Sequence, residues 1–375
     1  MRPIPEDYVK KPLLAPNTQV EFTCPDIRWP MLASRKLDGY RCLIIPTYTS
    51  PGPTVHMVSR SFKQFANHLM LEERFAKVFK YALHSTSVLD CEIFSETLNF
   101  QEIGSCLSKA GKVVDPSIKL YCFDQISSDR WAAGNDRTPY ITRYKHLVKG
   151  VRRYQEHHEV LDDTFEVLDQ VSCSHGKDVE NTFNLYTSMG DEGIILRSER
   201  GRYKNGRATV RESLIYKFKV RATADAQIIA LIPGTTTKKS AERDVDAFGH
   251  RKFAGKKGDR IEVDRLGGIQ VRLEDGTMTK IGIAASYSDD EYPDADSIWK
   301  NKEDLIGTWV EFEYLPVGVK DKPRFGRMIR IRRDKGSPIP EDSIDKASED
   351  FLDGIKIVAP DLIERITKWK KDSPE

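Results

Sequence analysis

The sequence is short of cysteine, of long apolar runs and of net charge, and each shortage removes a class of protein. Its six cysteines stand at positions 24, 42, 91, 106, 122 and 173, with no C-x-x-C pair. That scatter argues against a zinc ribbon and against a disulfide scaffold. Thiols left free in a chain of this size fit a reducing cytosol. No apolar run approaches the length of a membrane span. The opening MRPIPEDYVKKPLLAP lacks the apolar stretch of a secretory signal. A cytoplasmic protein without membrane attachment is the expectation. No internal repeat or low-complexity block is visible. The formal net charge is only +2, so overall charge points to no partner.

What is present is charge in particular places. Charged residues make up 31% of the 375, and hydrophobic residues 39%, enough for packed cores in two or three domains. From Ile194 to Ala222 nine Lys/Arg residues face two Glu, and from Lys322 to Lys335 seven face one Asp. A solvated surface explains one such stretch. Two, each beside an ordered motif, point to a phosphate chain as partner.

Patterning divides the chain near residue 222. Before it, HLMLEERFAKVFKYAL, TRYKHLVKGVRRYQEHH and GKDVENTFNLYTSMG carry helical spacing. SVLDCEIF, IKLYCFDQI, EGIILRS and SLIYKFKV read as strands. After it, AQIIALIPG, KGDRIEVDRLGGIQVRL, TMTKIGIA, GTWVEFEYLP and RMIRIRRD are short strands between Gly and Pro turns, which predicts a small β-barrel of OB type. The expected organisation is an α+β domain over 1–222, a barrel over 223–336 and a charged tail over 337–375.

Several motifs carry chemistry. In ASRKLDGYRCLI, Lys36, Asp38, Gly39 and Arg41 form K-x-D-G-x-R. Burial or a neighbouring cation such as Arg41 frees a lysine amine to attack phosphorus. Gly39 lets backbone approach closely, and Arg41 offers a fork of donors to phosphate or ribose oxygens. A salt-bridged turn is the plain alternative. Arg60 ends a strand and is placed to touch phosphate, or to sit on the surface. Glu92 lies inside an apolar strand and needs a cation, a hydroxyl or a metal beside it. Glu192 opens a second such strand, so the two could share one Mg²⁺. Phe123 is either core or a platform for a purine, with Ile194 as opposite wall. Lys217 and Lys219 alternate on one strand face, where two ammonium groups repel unless an anion lies between them. Arg330 and Arg332 share a strand face near the end of the barrel.

The order of these motifs resembles that of covalent nucleotidyltransferases: Lys36-x-Asp38-Gly39-x-Arg41, Ser59-Arg60, Glu92, Tyr121-x-Phe123-Asp124, Glu192-Gly193-Ile194, Lys217-x-Lys219 and Arg330-x-Arg332-x-Asp334-Lys335. Within that superfamily the chain is similar to small ATP-dependent DNA ligases of viral or bacteriophage type, over roughly residues 30–335. The resemblance implies a nucleotidyltransferase (ATP-grasp-like ligase) domain of antiparallel sheets and helices, then an OB-fold barrel. It implies ATP and Mg²⁺ as cofactors, with Mn²⁺ as a substitute, and nicked duplex DNA as partner in repair, replication or recombination. It also implies a monomer, located in the host cytoplasm if the source is viral.

By the same resemblance Lys36 is the nucleophile, and Ser34 and Arg35 before it belong to the ATP site with Arg41, Arg60, Glu92, Phe123, Ile194, Lys217 and Lys219. Glu92 and Glu192 take metal and ribose, Asp38 assists later steps, and Arg330, Arg332, Asp334 and Lys335 close over ATP. Ser34 stands where many ligases carry a glutamate that reads the adenine amino group. Three rivals share parts of this pattern. A capping guanylyltransferase would use GTP, and an RNA ligase would differ at Asp38-Gly39. A NAD-dependent ligase would bring a cysteine cluster. A non-catalytic OB-fold nucleic-acid binder would need none of the lysines and glutamates. The loop GHRKFAGKKGDR, with Arg251, Lys252, Lys256 and Lys257, is either a contact to the duplex backbone or a solvated hairpin.

Overall fold

The computed structural model of the protein describes residues 3–18, 20–134, 136–158, 160–237, 243–245, 251–253, 260–316 and 323–335. The chain forms two compact units. The first comprises Met1–Ala222, Thr236–Ile261 and Tyr314–Arg324, and the second Thr223–Thr235, Glu262–Glu313 and Phe325–Glu375.

Two sheets build the first unit. One has the strand order Val171–Cys173, Met31–Arg35, Gly193–Ser198, Ile215–Lys219. The other runs Gly52–Ser59, Tyr40–Thr49, Ser87–Phe94, Lys119–Ser127, Phe165–Val167. Alternation along each strand sends side chains to opposite faces. In the first sheet Met31, Ala33, Ile194, Leu196, Tyr216 and Phe218 go outward into a core that Val179 of helix Gly176–Ser188 helps to fill. In the second, Cys42, Ile44, Leu89, Cys91 and Cys122 go outward beneath helices Ala76–Ser85 and Tyr140–His157. The inner faces meet where Leu43, Ile45, Val58, Val88 and Ile126 pack in one cluster with Ile195 and Ile215. Beyond that apolar cluster the inner faces turn polar, and the motif residues lie there.

The pairing is antiparallel except at one edge, where Lys119–Ser127 and Phe165–Val167 run parallel. The connection between them contains helix Tyr140–His157, and parallel neighbours need such a crossover. The apolar run from His68 forms two helices, His68–Arg74 and Ala76–Ser85, rather than one. The chain departs from helix at Phe75 (φ −105°, ψ 20°), whose ring is fully buried. Helix Phe100–Ser108 went unread in the sequence, although NFQE carries its signal. Asn99 accepts from the backbone of Gln101 and Glu102, and Glu102 accepts from Asn99 N.

The second unit contains a closed barrel in the order Ala222–Thr237, Arg260–Leu273, Met278–Ile283, Arg324–Ile331, Trp309–Leu315. The barrel expectation is met, with one parallel pairing, Met278–Ile283 with Arg324–Ile331. Among the described residues no helix is long and apolar enough to cross a membrane.

A buried ionic layer holds the inner face of the second sheet. Asp124 accepts from Arg143 Nε at 2.8 Å and Nη2 at 3.0 Å, and from Arg197 Nη1 of the first sheet at 3.4 Å. Asp90 accepts from Arg41 Nε at 2.5 Å, from Arg41 Nη2 at 2.6 Å and from the Tyr203 hydroxyl at 2.6 Å. Both aspartates are wholly buried. Removing one partner from such a layer strands the other charges in low dielectric. Asp124→Ala is therefore expected to cost ~3–5 kcal/mol, read as a lower urea midpoint at unchanged slope. A loss below ~1 kcal/mol would show that the layer carries little stability.

Candidate active site

Lys36 follows directly on the strand Met31–Arg35, and its N–H donates to Gly193 O at 2.9 Å. That bond draws the lysine to the start of Gly193–Ser198, beside Glu192. Gly193 has φ +148°, and a Cβ there would lie 2.0 Å from Phe218 O, so only glycine lets these strands approach. Gly39 is equally constrained, because a Cβ would stand 2.3 Å from Ile93 O and 3.0 Å from Glu92 Cγ.

Glu192 is the hub. Its Oε2 accepts from Lys36 Nζ and its Oε1 from Lys219 Nζ, while the residue itself is only 4% exposed. Burial pushes the Glu192 carboxyl upward, but Lys36 and Lys219 outweigh it and hold the group below its ordinary range. Burial and the nearby Lys36 lower Lys219, against the pull of Glu192. Lys217 has no such relief. Burial first, then Lys219, Arg207, Lys36 and Arg221, push it down to about 8. A half-buried ammonium ringed by cations is an anion site waiting for its anion. Glu92 stands opposite Arg41 on the second sheet. Burial raises its carboxyl to about 7, with Arg41 and Lys36 pulling the other way.

Phe123 owes its place to a bulge. Cys91 pairs with Cys122 and Asp90 with Asp124, which leaves Phe123 as the extra residue. Its ring packs with Leu37, Tyr121 and Leu168. The guanidinium carbons of Arg41 and Arg197 lie 4.7 Å and 4.8 Å from the ring centre.

The structure thus brings Lys36, Lys217, Lys219, Glu92 and Glu192 together, with Asp38 near enough to raise Lys219. Other expected residues stand differently. Arg35 is on the opposite face of its strand from Ser34. It binds Asp191 at 2.8 Å and Glu96 at 2.9 Å, so it clamps the segment before Glu192 rather than reaching into the crevice. Ile194 is turned outward into the core, because it pairs with Arg35 and Phe218. Ile195, on the rung Ser34–Ile195–Lys217, is the aliphatic residue of the inner face. Counting the alternation from Gly193 would have found it. Arg41 is committed to Asp90. Arg60 is exposed at the turn after Gly52–Ser59.

Arg330, Arg332, Asp334 and Lys335 belong to the second unit and are held in ion pairs there. Arg330 Nε bonds Glu311 at 2.5 Å, and Arg332 bonds Asp225 at 2.9 Å and Asp334 at 2.7 Å. Lys335 bonds Asp225 at 2.8 Å and Glu274 at 2.9 Å. Lys256 and Lys257 lie outside the described residues, and Arg251 and Lys252 are described only as backbone of the strand Arg251–Phe253. Pattern reading missed Arg207, Arg221, Tyr203 and Arg143, whose partners come from distant segments.

Mg²⁺ needs one or two carboxylates, with phosphates and water completing its shell. Among the described residues no group of three or more His, Cys, Asp and Glu could hold a metal. Glu192 is occupied by two lysines, so Glu92 is the fitting protein ligand, alongside phosphate oxygens.

A family model described as "ATP dependent DNA ligase domain" matches residues 12–219. No curated protein matches the chain. Among solved structures it is similar to one named "Pmar-Lig_Pre.", 22% identical at TM-score 0.60, covering 81% of this chain and 64% of that one. The chain thus spans under two thirds of that structure's length. A structure of Lig E DNA ligases is 18% identical at TM-score 0.52, covering 80% and 92%. A Chlorella virus DNA ligase-adenylate is 25% identical at TM-score 0.43, covering 88% and 100%. The first two show the fold.

The depressed Lys217 sets a pH dependence. As pH rises through about 8 the ammonium loses its proton, and the affinity for pyrophosphate or a nucleoside triphosphate falls with it. In Lys217→Arg the charge persists and the profile flattens. Equilibrium titrations between about pH 7 and about pH 10 check this, spanning the ordinary lysine range. An equal decline in both proteins would contradict it.

Proposed function

The chain belongs to the family of ATP-dependent DNA ligase domains, and from that premise we propose that it seals nicks in duplex DNA through a lysyl-AMP intermediate. The observation that carries the reading is the convergence of Lys36, Lys217 and Lys219 on one buried glutamate, with a cationic surplus that only an anion offsets.

In the first step Lys36 Nζ attacks the α-phosphorus of ATP, an N–P bond forms and pyrophosphate leaves. The amine must first lose a proton, and Glu192 Oε2, already accepting from it, is the atom positioned to take that proton. An arriving phosphate draws Lys219 away from Glu192, and the carboxylate becomes more basic as that neighbour leaves. Lys217 and Lys219 then neutralise the phosphate charge. Bound Mg²⁺ supplies further charge neutralisation at the phosphates, with Glu92 as its protein ligand. AMP next passes to the 5′-phosphate of the nick. The 3′-hydroxyl attacks that phosphate and AMP departs.

The adenylation domain over 1–222 carries this chemistry, and the barrel over 223–336 carries Arg330, Arg332, Asp334 and Lys335, which turn to ATP in the first step. Their present ion pairs are surface pairs of small net worth, so exchanging them for phosphate costs little. Arg60 and the 249–260 loop contact DNA phosphates. The protein acts as a monomer in the cytoplasm.

Incubation with Mg²⁺ and α-labelled ATP or GTP tests the proposal. Covalent label is expected from ATP, absent in Lys36→Ala, and discharged by nicked DNA. Label from GTP alone would instead indicate capping chemistry. No label from either would reduce the chain to a binding protein.

A further inference from the structure

Ser34 occupies the position where a ligase glutamate would read the base, and a short hydroxyl reaches less far. The residue across from it draws attention. Met31, Leu32 and Ala33 pair with Cys173, Ser172 and Val171, so one step further on the same antiparallel register Ser34 stands opposite Gln170. Ser34 itself shares the rung of Ile195 and Lys217 on the inner face. Directly opposed residues present their side chains to one face, so Gln170 joins that face.

Its carboxamide is oriented. Gln170 Nε2 donates to Leu168 O at 3.2 Å, which fixes the amide nitrogen toward that carbonyl and the oxygen away from it. Leu168 packs its side chain on Phe123 and Leu37, so the amide is anchored to the wall that holds the aromatic platform. Gln170 Oε1 is buried and finds no hydrogen-bond partner among the described residues. A buried acceptor left unmade is costly, and such exceptions ask for a ligand.

We propose that Gln170 is a specificity-determining residue whose Oε1 accepts a hydrogen bond from the 6-amino group of adenine stacked on Phe123. The proposal rests on the ATP-using reading above. The chemistry is selective because adenine presents a donor at position 6, whereas guanine and hypoxanthine present an oxygen that would face another acceptor. A site with a buried polar group rejects the base that cannot satisfy it. Selectivity for adenine is thereby retained with a serine at position 34.

Equilibrium binding of ATP, ITP and purine riboside triphosphate, which bears hydrogen at position 6, tests this. The wild-type protein is expected to prefer ATP over the purine riboside nucleotide by about tenfold, one hydrogen bond's worth, and to reject ITP more strongly. Gln170→Leu brings the first ratio to about one while leaving purine riboside triphosphate binding unchanged. Gln170→Glu, which keeps an acceptor, retains the preference. A wild-type protein indifferent to the 6-amino group overturns the proposal without any variant. So does a Gln170→Leu protein that weakens both nucleotides equally. Label on Lys36 is read in parallel. Its absence beside intact base preference would overturn the ligase reading and not this one.

Discussion

One buried carboxylate shared by two ammonium groups is the constraint on which the site depends. Glu192 lies at the entrance to the strand Gly193–Ser198 and bonds both Lys36 and Lys219. Three lysines in so small a space would otherwise repel one another, as the lowered Lys217 and Lys219 record. Glu192 offsets enough of that repulsion for the ligand-free state to hold its shape, and leaves enough for an anion to be attracted. The backbone serves the same end. Lys36 N is tied to Gly193 O, and Val220 N to Glu192 O, so nucleophile, hub and phosphate-binding strand are stitched together.

Around the hub, a second set of charges fixes the inner face without taking part in the chemistry. Asp90 and Asp124 engage Arg41, Arg143 and Arg197, and Asp90 also accepts from the Tyr203 hydroxyl. Two of these arginines bracket Phe123, so the ionic layer also sets the aromatic platform. Buried pairs of this kind are costly to form and costly to break. Their presence beside a ligand crevice fits a site where geometry is worth more than stability. The Arg35 clamp on Asp191 and Glu96 extends the same logic to the outer side of the nucleophile strand.

Much of this was legible in the residues. SVLDCEIF became the strand Ser87–Phe94, and the alternation of YKFK did put Lys217 and Lys219 on one face. Local pattern carries such information because strand periodicity is set by the backbone alone. Sequence order also placed Lys36 and Glu192 in the same set of motifs. What local pattern could not reveal was partnership across the chain. Arg41 looked available for phosphate because Asp90 is 49 residues away, and Arg143 looked like a surface residue of a basic helix because Asp124 belongs to another strand. Ile194 was chosen over Ile195 by its nearness to Glu192, although the pleat assigns the inner face to Ile195. The break at Phe75 and the two three-residue strands were below what periodicity can resolve.

The central claim is that Glu192 both restrains Lys36 and receives its proton. Single-turnover formation of lysyl-AMP, measured beside ATP affinity in wild type and Glu192→Gln, tests it most directly. The account predicts that the variant still binds ATP but adenylates Lys36 at least ~100-fold more slowly, the usual scale for loss of a positioned base. A variant that adenylates at the wild-type rate would contradict it, and would reduce Glu192 to a passive counter-ion.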